Sequence, residues 1–342
     1  MPSVSIIIAA YNVEDEIRVL FDSLCRSRFQ DFEVCLCDDA SSDGTRLAAQ
    51  SYSDRFPMLL TANQANGGVT LARNQALSMA RAPLLLFLDA DVRLRPETID
   101  QLLQRLETSR AGVVEGIYSE TALDPGPFSD YYALFAHHSF LLGGAVPRYN
   151  VFNGWCALCR REVMDTVGGH WEVPKGMEVE NESQGRRIAA LGFDIFLEPR
   201  IAVDHHWGGL RKLLFIFTRR VYWWVKVFFA SDRRFEAALT TRSYALGTTA
   251  LPAAALALLA GGGQPAGRAL AGVSLAVFLW AYAPFYAFVR RKRGIRFLLW
   301  SMALSAASSF LIAASAAYSA AEELLLLALR GRTTLTPEHL RQ

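Results

Sequence analysis

Cysteine is scarce in this sequence, and its few copies do not pair. Cys25, Cys35, Cys37, Cys156 and Cys159 are five residues, an odd set without disulfide-like spacing, which excludes a disulfide-stapled secreted scaffold and fits a reducing compartment. Cys156 and Cys159 form one CxxC, but no second pair exists to complete a four-ligand structural zinc site. The start of the chain lacks a basic stretch, a long apolar core and a small-residue cleavage site, so no secretory signal is expected. Charge of one sign is lacking too. A formal net charge of +2 over 342 residues gives no ground for a nucleic-acid partner, and none is expected.

Apolar residues, by contrast, are in excess. They make up 52% of the chain, more than an ordinary soluble enzyme carries, and the excess lies in the last hundred residues. Three stretches there, about 243–263, 269–289 and 297–320, are long enough to span a bilayer. Pro252 and Pro284 inside them are tolerable within a bundle. Arg290, Arg291, Lys292, Arg293 and Arg296 crowd the loop between the second and third stretches, whereas 261–268 holds only Arg268. The basic loop is therefore expected on the cytoplasmic side, and Arg233, Arg234 and Arg242 before the first stretch agree. Just upstream, 210–230 mixes Arg211, Lys212, Arg219, Arg220 and Lys226 with Phe215, Phe217, Tyr222, Trp223, Trp224 and Phe228, as a helix lying on anionic lipid would. Glu322 and Glu323 read either as a continuation of the third span or as part of a separate amphipathic turn. The expected division is a cytosolic domain over 1–209, amphipathic interfacial helices over 210–242, a transmembrane region of about three helices over 243–330 and a tail over 331–342. Such a chain is a multi-pass protein of the inner (cytoplasmic) membrane, with membrane lipid as a partner.

The first two hundred residues alternate strand and helix patterns. A β-branched run over 4–10 precedes Tyr11 and Asn12, and Ile17, Leu20, Phe21 and Leu24 mark a helix over 14–25. A second strand over 32–37 enters turn residues 38–44, 59–61 is a short third strand, and 63–68 is a polar glycine loop. A helix over 69–81 then leads to a fully apolar strand over 84–88, which ends in Asp89, Ala90 and Asp91. This spacing predicts an α/β fold with a Rossmann-like, mostly parallel sheet flanked by helices. Open parallel sheets bind ligands beyond the carboxyl ends of their strands. Tyr11, Asn12, Asp38, Asp39, Asp89 and Asp91 are expected to converge there.

Asp89 and Asp91 after a buried strand put two carboxylates on one side of an extended backbone, one for a divalent cation and the other for a nearby hydroxyl. Mg2+ or Mn2+ suits carboxylate, water and phosphate oxygens and neutralises charge building on a departing diphosphate. Asp39, one step past a strand, can accept from the imide N–H of a uracil or the amino group of another base. Gly67 and Gly68, followed by Arg73 and Asn74, suit close approach to a phosphate. Each feature also has a plainer reading as a strand end, turn, N-cap or helix surface. Their convergence is what argues for a site.

Residues 5–12 (SIIIAAYN), 38–45 (DDASSDGT), 67–74 (GGVTLARN) and 88–91 (LDAD) resemble, in order and spacing, four motifs of the family 2 glycosyltransferases of GT-A fold. The likeness runs on through 153–169, with Arg160, Arg161, Val167, Gly168 and Gly169, and covers roughly the first 210 residues. The resemblance implies that Ala10 and Asp39 hold the base, Asp89 the ribose and Asp91 the metal, with Tyr11, Asn12, Gly68, Arg73 and Asn74 around the donor. His205, or His206 beside it, follows the last strand, where similar enzymes place a metal-contacting histidine. Similar enzymes also carry a base aspartate about a dozen residues before a glycine. Counting back from Gly192 gives Asn181, which takes no proton. Glu180 and Glu182 are then the candidate catalytic residues, unless an already ionised lipid phosphate needs no base.

The activity implied is inverting, Mg2+- or Mn2+-dependent transfer of a hexose-type sugar from a nucleotide-sugar donor to a lipid-linked or saccharide acceptor. Two other readings stand beside it. A processive polysaccharide synthase would carry a Gln-x-x-Arg-Trp motif, which 218–223 (TRRVYW) lacks. A non-catalytic nucleotide-sugar-binding scaffold would suit Asn181 but not the retained Asp89 and Asp91.

Overall fold

The structure, a computed structural model, describes residues 1–170, 176–177, 179–230, 242–261 and 264–335. Arg233, Arg234 and most of the expected tail lie outside the described residues. The chain divides into two units, one including Met1–Pro125 and Gly143–Trp207, the other Gly126–Leu142 and Gly208–Thr336.

The first unit is built on a nine-stranded sheet of order β3-β2-β1-β4-β8-β6-β9-β5, with β7 also paired to β9. β1 (Val4–Ala10) is central because Ile6, Ile7 and Ile8 are buried on both faces. It pairs in parallel with β2 (Phe32–Asp38) and β4 (Leu84–Asp89), and β2 in turn with β3 (Met58–Ala62). α1 (Glu14–Cys25) covers this half with the Ile17, Leu20, Phe21 and Leu24 stripe, and its first turn, Glu14, Asp15 and Glu16, is acidic as the helix dipole favours. α2 (Thr45–Gln50) and α3 (Val69–Met79) complete the crossovers. α3 stops two residues short of the expected 81 because Ala80 is already extended, at ψ 141°.

The other half of the sheet is mixed. The chain turns back after β4 into β5 (Val92–Arg93), α4 (Thr98–Ser109) and β6 (Val113–Ala122). After α5 (Pro127–Gly143) come β7 (Val146–Tyr149), β8 (Cys156–Arg160), α6 (Arg161–Val167), α7 (Glu180–Ala190) and β9 (Ile195–His205). β8 runs antiparallel between β4 and β6, while β9 is parallel to β6 and antiparallel to β5. At the opposite end of the sheet from the strand carboxyl termini, the fully buried Glu33 carboxylate is tied down. It accepts from Ser5 Oγ at 2.8 Å and from Arg81 Nε at 2.9 Å.

The second unit is helical. α5 belongs to it, although the expected division left 126–142 in the first domain. α8 (Gly209–Phe215), a π-helical turn (Ile216–Arg220), α9 (Val221–Ala230), α10 (Arg242–Ala260) and α11 (Pro265–Arg330) make up the rest. Among the described residues, α10 and α11 are the helices long and apolar enough to cross a membrane. The expected basic loop at 290–296 is corrected to helix with a single break at Gly294, at φ 79° and ψ −176°, a conformation open essentially to glycine alone. That break separates the second and third apolar stretches. Tyr131 to Ser305 at 2.9 Å, His138 to Tyr244 at 2.9 Å and Thr248 to Tyr282 at 3.0 Å satisfy polar groups inside the bundle.

Lys226 does not face lipid, contrary to the expectation for 210–230. Its side chain is 1% exposed, with Nζ 2.7 Å from Glu323 and 3.0 Å from Glu322. The two glutamates are therefore part of the continuing helix α11. Ser315 and Ser319 on that helix donate to the carbonyls of Thr218 and Tyr222 at 2.6 and 2.8 Å, around a π-helical turn whose wide winding loosens backbone pairing.

Candidate active site

Three strand ends and the loops after them form the site. Ala10 is buried and its carbonyl accepts from the Asp39 backbone N–H at 2.8 Å, so the expected base-holding pair is adjacent. Tyr11 is exposed, while Asn12, at φ 52°, bridges to the neighbouring loop. Its backbone N–H donates to Ser41 Oγ at 2.9 Å, and its Oδ1 accepts from the Ser42 N–H at 2.8 Å. Asp39 is buried. Its Oδ1 accepts from Asn63 Nδ2 at 2.7 Å and the Gly67 N–H at 2.9 Å, and its Oδ2 accepts from the Gly68 N–H at 2.8 Å. One carboxylate thus holds the glycine loop against the end of β2.

Asp89 closes β4, and the chain turns at Ala90 and Asp91 before β5. The expected extended backbone therefore ends at Asp89, and the two carboxylates have separate partners. Arg73 Nη2 donates to Asp89 Oδ1 at 2.7 Å, with the arginine side chain 5% and the aspartate side chain 31% exposed. The guanidinium lies under Gly154, where an added Cβ would come within 2.6 Å of its central carbon. Arg73 Nη1 is buried without a hydrogen-bond partner among the described residues. Asn74, expected near the donor, is instead bonded at both ends of its amide to the His170 backbone. Nδ2 donates to the carbonyl at 2.9 Å and Oδ1 accepts from the N–H at 2.8 Å. Burial, and then the charges of Arg73 and Arg187, push the His170 pKa well below the usual histidine value.

Asp91 meets His205 through the sheet. β5 pairs with β9 in the register Val92 to His205, and the His206 N–H donates to the Asp91 carbonyl at 3.0 Å. His205 Nε2 then lies 3.4 Å from Asp91 Oδ2. The imidazole packs among Tyr118, at 4.7 Å between centroids, and Trp207, at 4.5 Å. His206 faces another way, toward Glu16 at 3.6 Å. A carboxylate oxygen and an imidazole nitrogen this close fit a divalent cation. No cluster of three or more His, Cys, Asp or Glu able to hold a metal occurs among the described residues. The donor set therefore suits a cation that takes its remaining ligands from water and a diphosphate, as Mg2+ and Mn2+ do.

Glu180 and Glu182 lie half-buried in the first turn of α7, whereas Asn181 between them is buried. The Asn181 carbonyl accepts from the Phe152 N–H at 2.9 Å, and its side-chain Oδ1 has no hydrogen-bond partner among the described residues. The sequence reading did not single out Gly154, His170 or Tyr118. Gly154 lies within 153–169, where the family likeness continues, and His170 directly follows it, but no local signal marks Tyr118. Cys156 and Cys159 are fully buried on β8. Residues three apart on a strand face opposite sides, so this CxxC does not chelate. Burial pushes the Cys156 thiol up to about 12.

Comparison with known proteins agrees with this geometry. Residues 5–168 match glycosyl transferase family 2. The uncharacterized glycosyltransferase EpsJ of Bacillus subtilis is 32% identical over 36% of this chain and 36% of its own length. The UDP-Glc:alpha-D-GlcNAc-diphosphoundecaprenol beta-1,3-glucosyltransferase WfgD of Escherichia coli is 40% identical over 26% of this chain and 34% of its own. The chain thus matches about a third of the length of these curated relatives. Among solved structures, the mannosyltransferase PcManGT of Pyrobaculum calidifontis, in complex with GDP-Man and Mn2+, superposes with a TM-score of 0.57 at 19% identity, covering 94% of this chain and 87% of that one. The nine-stranded sheet with its flanking helices is a GT-A-like fold, and residues 5–168 within it are the part that is similar to glycosyl transferase family 2.

Proposed function

We propose that the chain is a membrane-bound inverting glycosyltransferase that moves one hexose-type sugar from a nucleotide diphosphate donor to a lipid-linked acceptor. The observation that carries the reading is the 3.4 Å approach of His205 to Asp91 beside the Arg73-held Asp89, at the rim where the parallel strands end. Ala10 and Asp39 bound the base, with Tyr11, Asn12 and the Gly68 loop around it. Asp89 takes the ribose hydroxyls. Asp91 and His205 would hold Mg2+ or Mn2+, which when bound neutralises charge on the departing diphosphate. Arg73 orients Asp89 from beneath through its 2.7 Å contact with Oδ1. Glu180 or Glu182 accepts the proton of an acceptor hydroxyl, while an ionised phosphate acceptor needs neither. Support for a lipid-linked acceptor comes from the acceptor named for WfgD and from the two long apolar helices. These helices also support a multi-pass protein of the inner membrane, with the catalytic domain and the basic corner at 290–296 in the cytoplasm.

Purified full-length protein mixed with UDP-, GDP- or dTDP-sugars, Mn2+ and polyprenyl phosphate or lipid extract tests this. Metal-dependent release of one nucleotide, stimulated by lipid and lost in Asp91→Ala, is expected. No release or transfer from any donor sinks the proposal.

A further inference from the structure

The pairing that brings Asp91 to His205 is short. β5 has two residues, and its ladder consists of Val92 with His205 and Arg93 with Asp204. Two ladder positions are a weak hold on a two-residue strand, because each backbone hydrogen bond adds little once its exchange with water is counted. Side chains supply what the backbone lacks. Asp204 is buried at 8% exposure, and its Oδ2 accepts from Arg93 Nε at 3.0 Å and Nη2 at 2.7 Å. Its Oδ1 accepts from the Ser119 hydroxyl on β6. One carboxylate therefore ties together β5, β9 and β6.

Strand alternation separates this knot from the donor. Asp204 and His205 are consecutive on β9, and Ser119 and Tyr118 are consecutive on β6, so each pair splits between the two faces of the sheet. Tyr118 packs on the His205 ring on one face, and Ser119 holds Asp204 on the other. Arg93 stands two residues beyond Asp91. Fixing Arg93 to Asp204 fixes the neighbouring ladder position, Val92 with His205, and with it the separation of the two candidate ligands.

We infer that Asp204 is a positioning residue that sets the spacing of Asp91 and His205 from the reverse face of the sheet. The inference rests on the metal-dependent reading above. Metal coordination tolerates only a few tenths of an ångström, so a loosened β5 weakens cation affinity before it unfolds the domain.

The test uses the full chain in detergent with Mn2+ and UDP or GDP, Mn2+ affinity being read by electron paramagnetic resonance and folding by metal-free thermal midpoint. Asp204→Asn keeps the shape and removes the charge. It should weaken Mn2+ binding about 10- to 100-fold, the usual effect of losing an outer partner of a ligand. Turnover should return at saturating Mn2+, and the metal-free midpoint should barely move. Ser119→Ala should shift affinity in the same direction by less. Affinity within twofold of the parent in Asp204→Asn, with Asp91→Ala still losing it, overturns this inference alone. Unchanged affinity in both Asp91→Ala and His205→Ala overturns the metal reading and this inference together.

Discussion

Gly154 leaves room for the Arg73 guanidinium and for nothing else. In Gly154→Ala the new methyl would sit 2.6 Å from the guanidinium carbon, so Arg73 must move off Asp89. Overpacking of this kind costs about 1–3 kcal/mol, and a lower thermal midpoint together with a disproportionate fall in kcat/KM for the nucleotide sugar is expected. His170 sets a pH dependence nearby. Its folded pKa is depressed below the ordinary 6.5, so the unfolded chain binds the proton more readily and stability falls as pH drops below that value. Glu33 acts in a lower window. Burial tends to raise its pKa, but hydrogen bonds from Arg81 and Ser5 win and leave it below 4.5, so its contribution is lost as pH falls through the folded value. His170→Gln should flatten the unfolding profile below about pH 6.5, and Glu33→Gln only below about 4.5. The role of Asn74 was not legible in the sequence, since a glycine loop before an Arg-Asn pair looks the same whether the amide meets phosphate or the His170 backbone 96 residues away.

At the scale of elements, β1, α1, β2, α3 and β4 were readable to within about two residues, because each carries a strong period of its own. β5 was not. Two residues have no period, and only their pairing with β9 makes them a strand. Lys226 escaped for a similar reason. A lysine among aromatics reads as lipid-facing until Glu322 and Glu323, nearly a hundred residues on, are seen to close over it. Lys226→Met leaves the Glu323 carboxylate buried without its counter-charge, which costs about 3–5 kcal/mol. The double variant Lys226→Met with Glu323→Leu should recover most of the loss in detergent melts. On α7, replacing the residue that accepts the proton should cut kcat at least about 100-fold for a hydroxyl acceptor. Comparing Glu180→Gln with Glu182→Gln therefore names the base, and parent-like rates in both favour a phosphate acceptor.

For the whole chain, the apolar excess and the basic cluster gave the membrane reading its shape, and Gly294 supplies the corner that lets one long helix serve as two segments. If that corner is cytoplasmic, Lys292→Cys in intact spheroplasts should resist an impermeant maleimide and react once the membrane is opened. Reaction in intact cells would invert the orientation. α5 was misplaced because its 17 residues sit between two strands of the first unit, and chain order alone says nothing about which unit claims them. This helix, with Tyr131, Leu134 and Phe140 buried in its own unit, also governs how the protein can be dissected. A fragment cut at 209 would keep α5 but lose Tyr244, Phe285 and Ser305, whose side chains pack on it or bond to it, and so would bare its apolar surface. Soluble expression of the first unit therefore calls for replacing the apolar side chains of 126–142 with polar ones as well as removing the C-terminal helices.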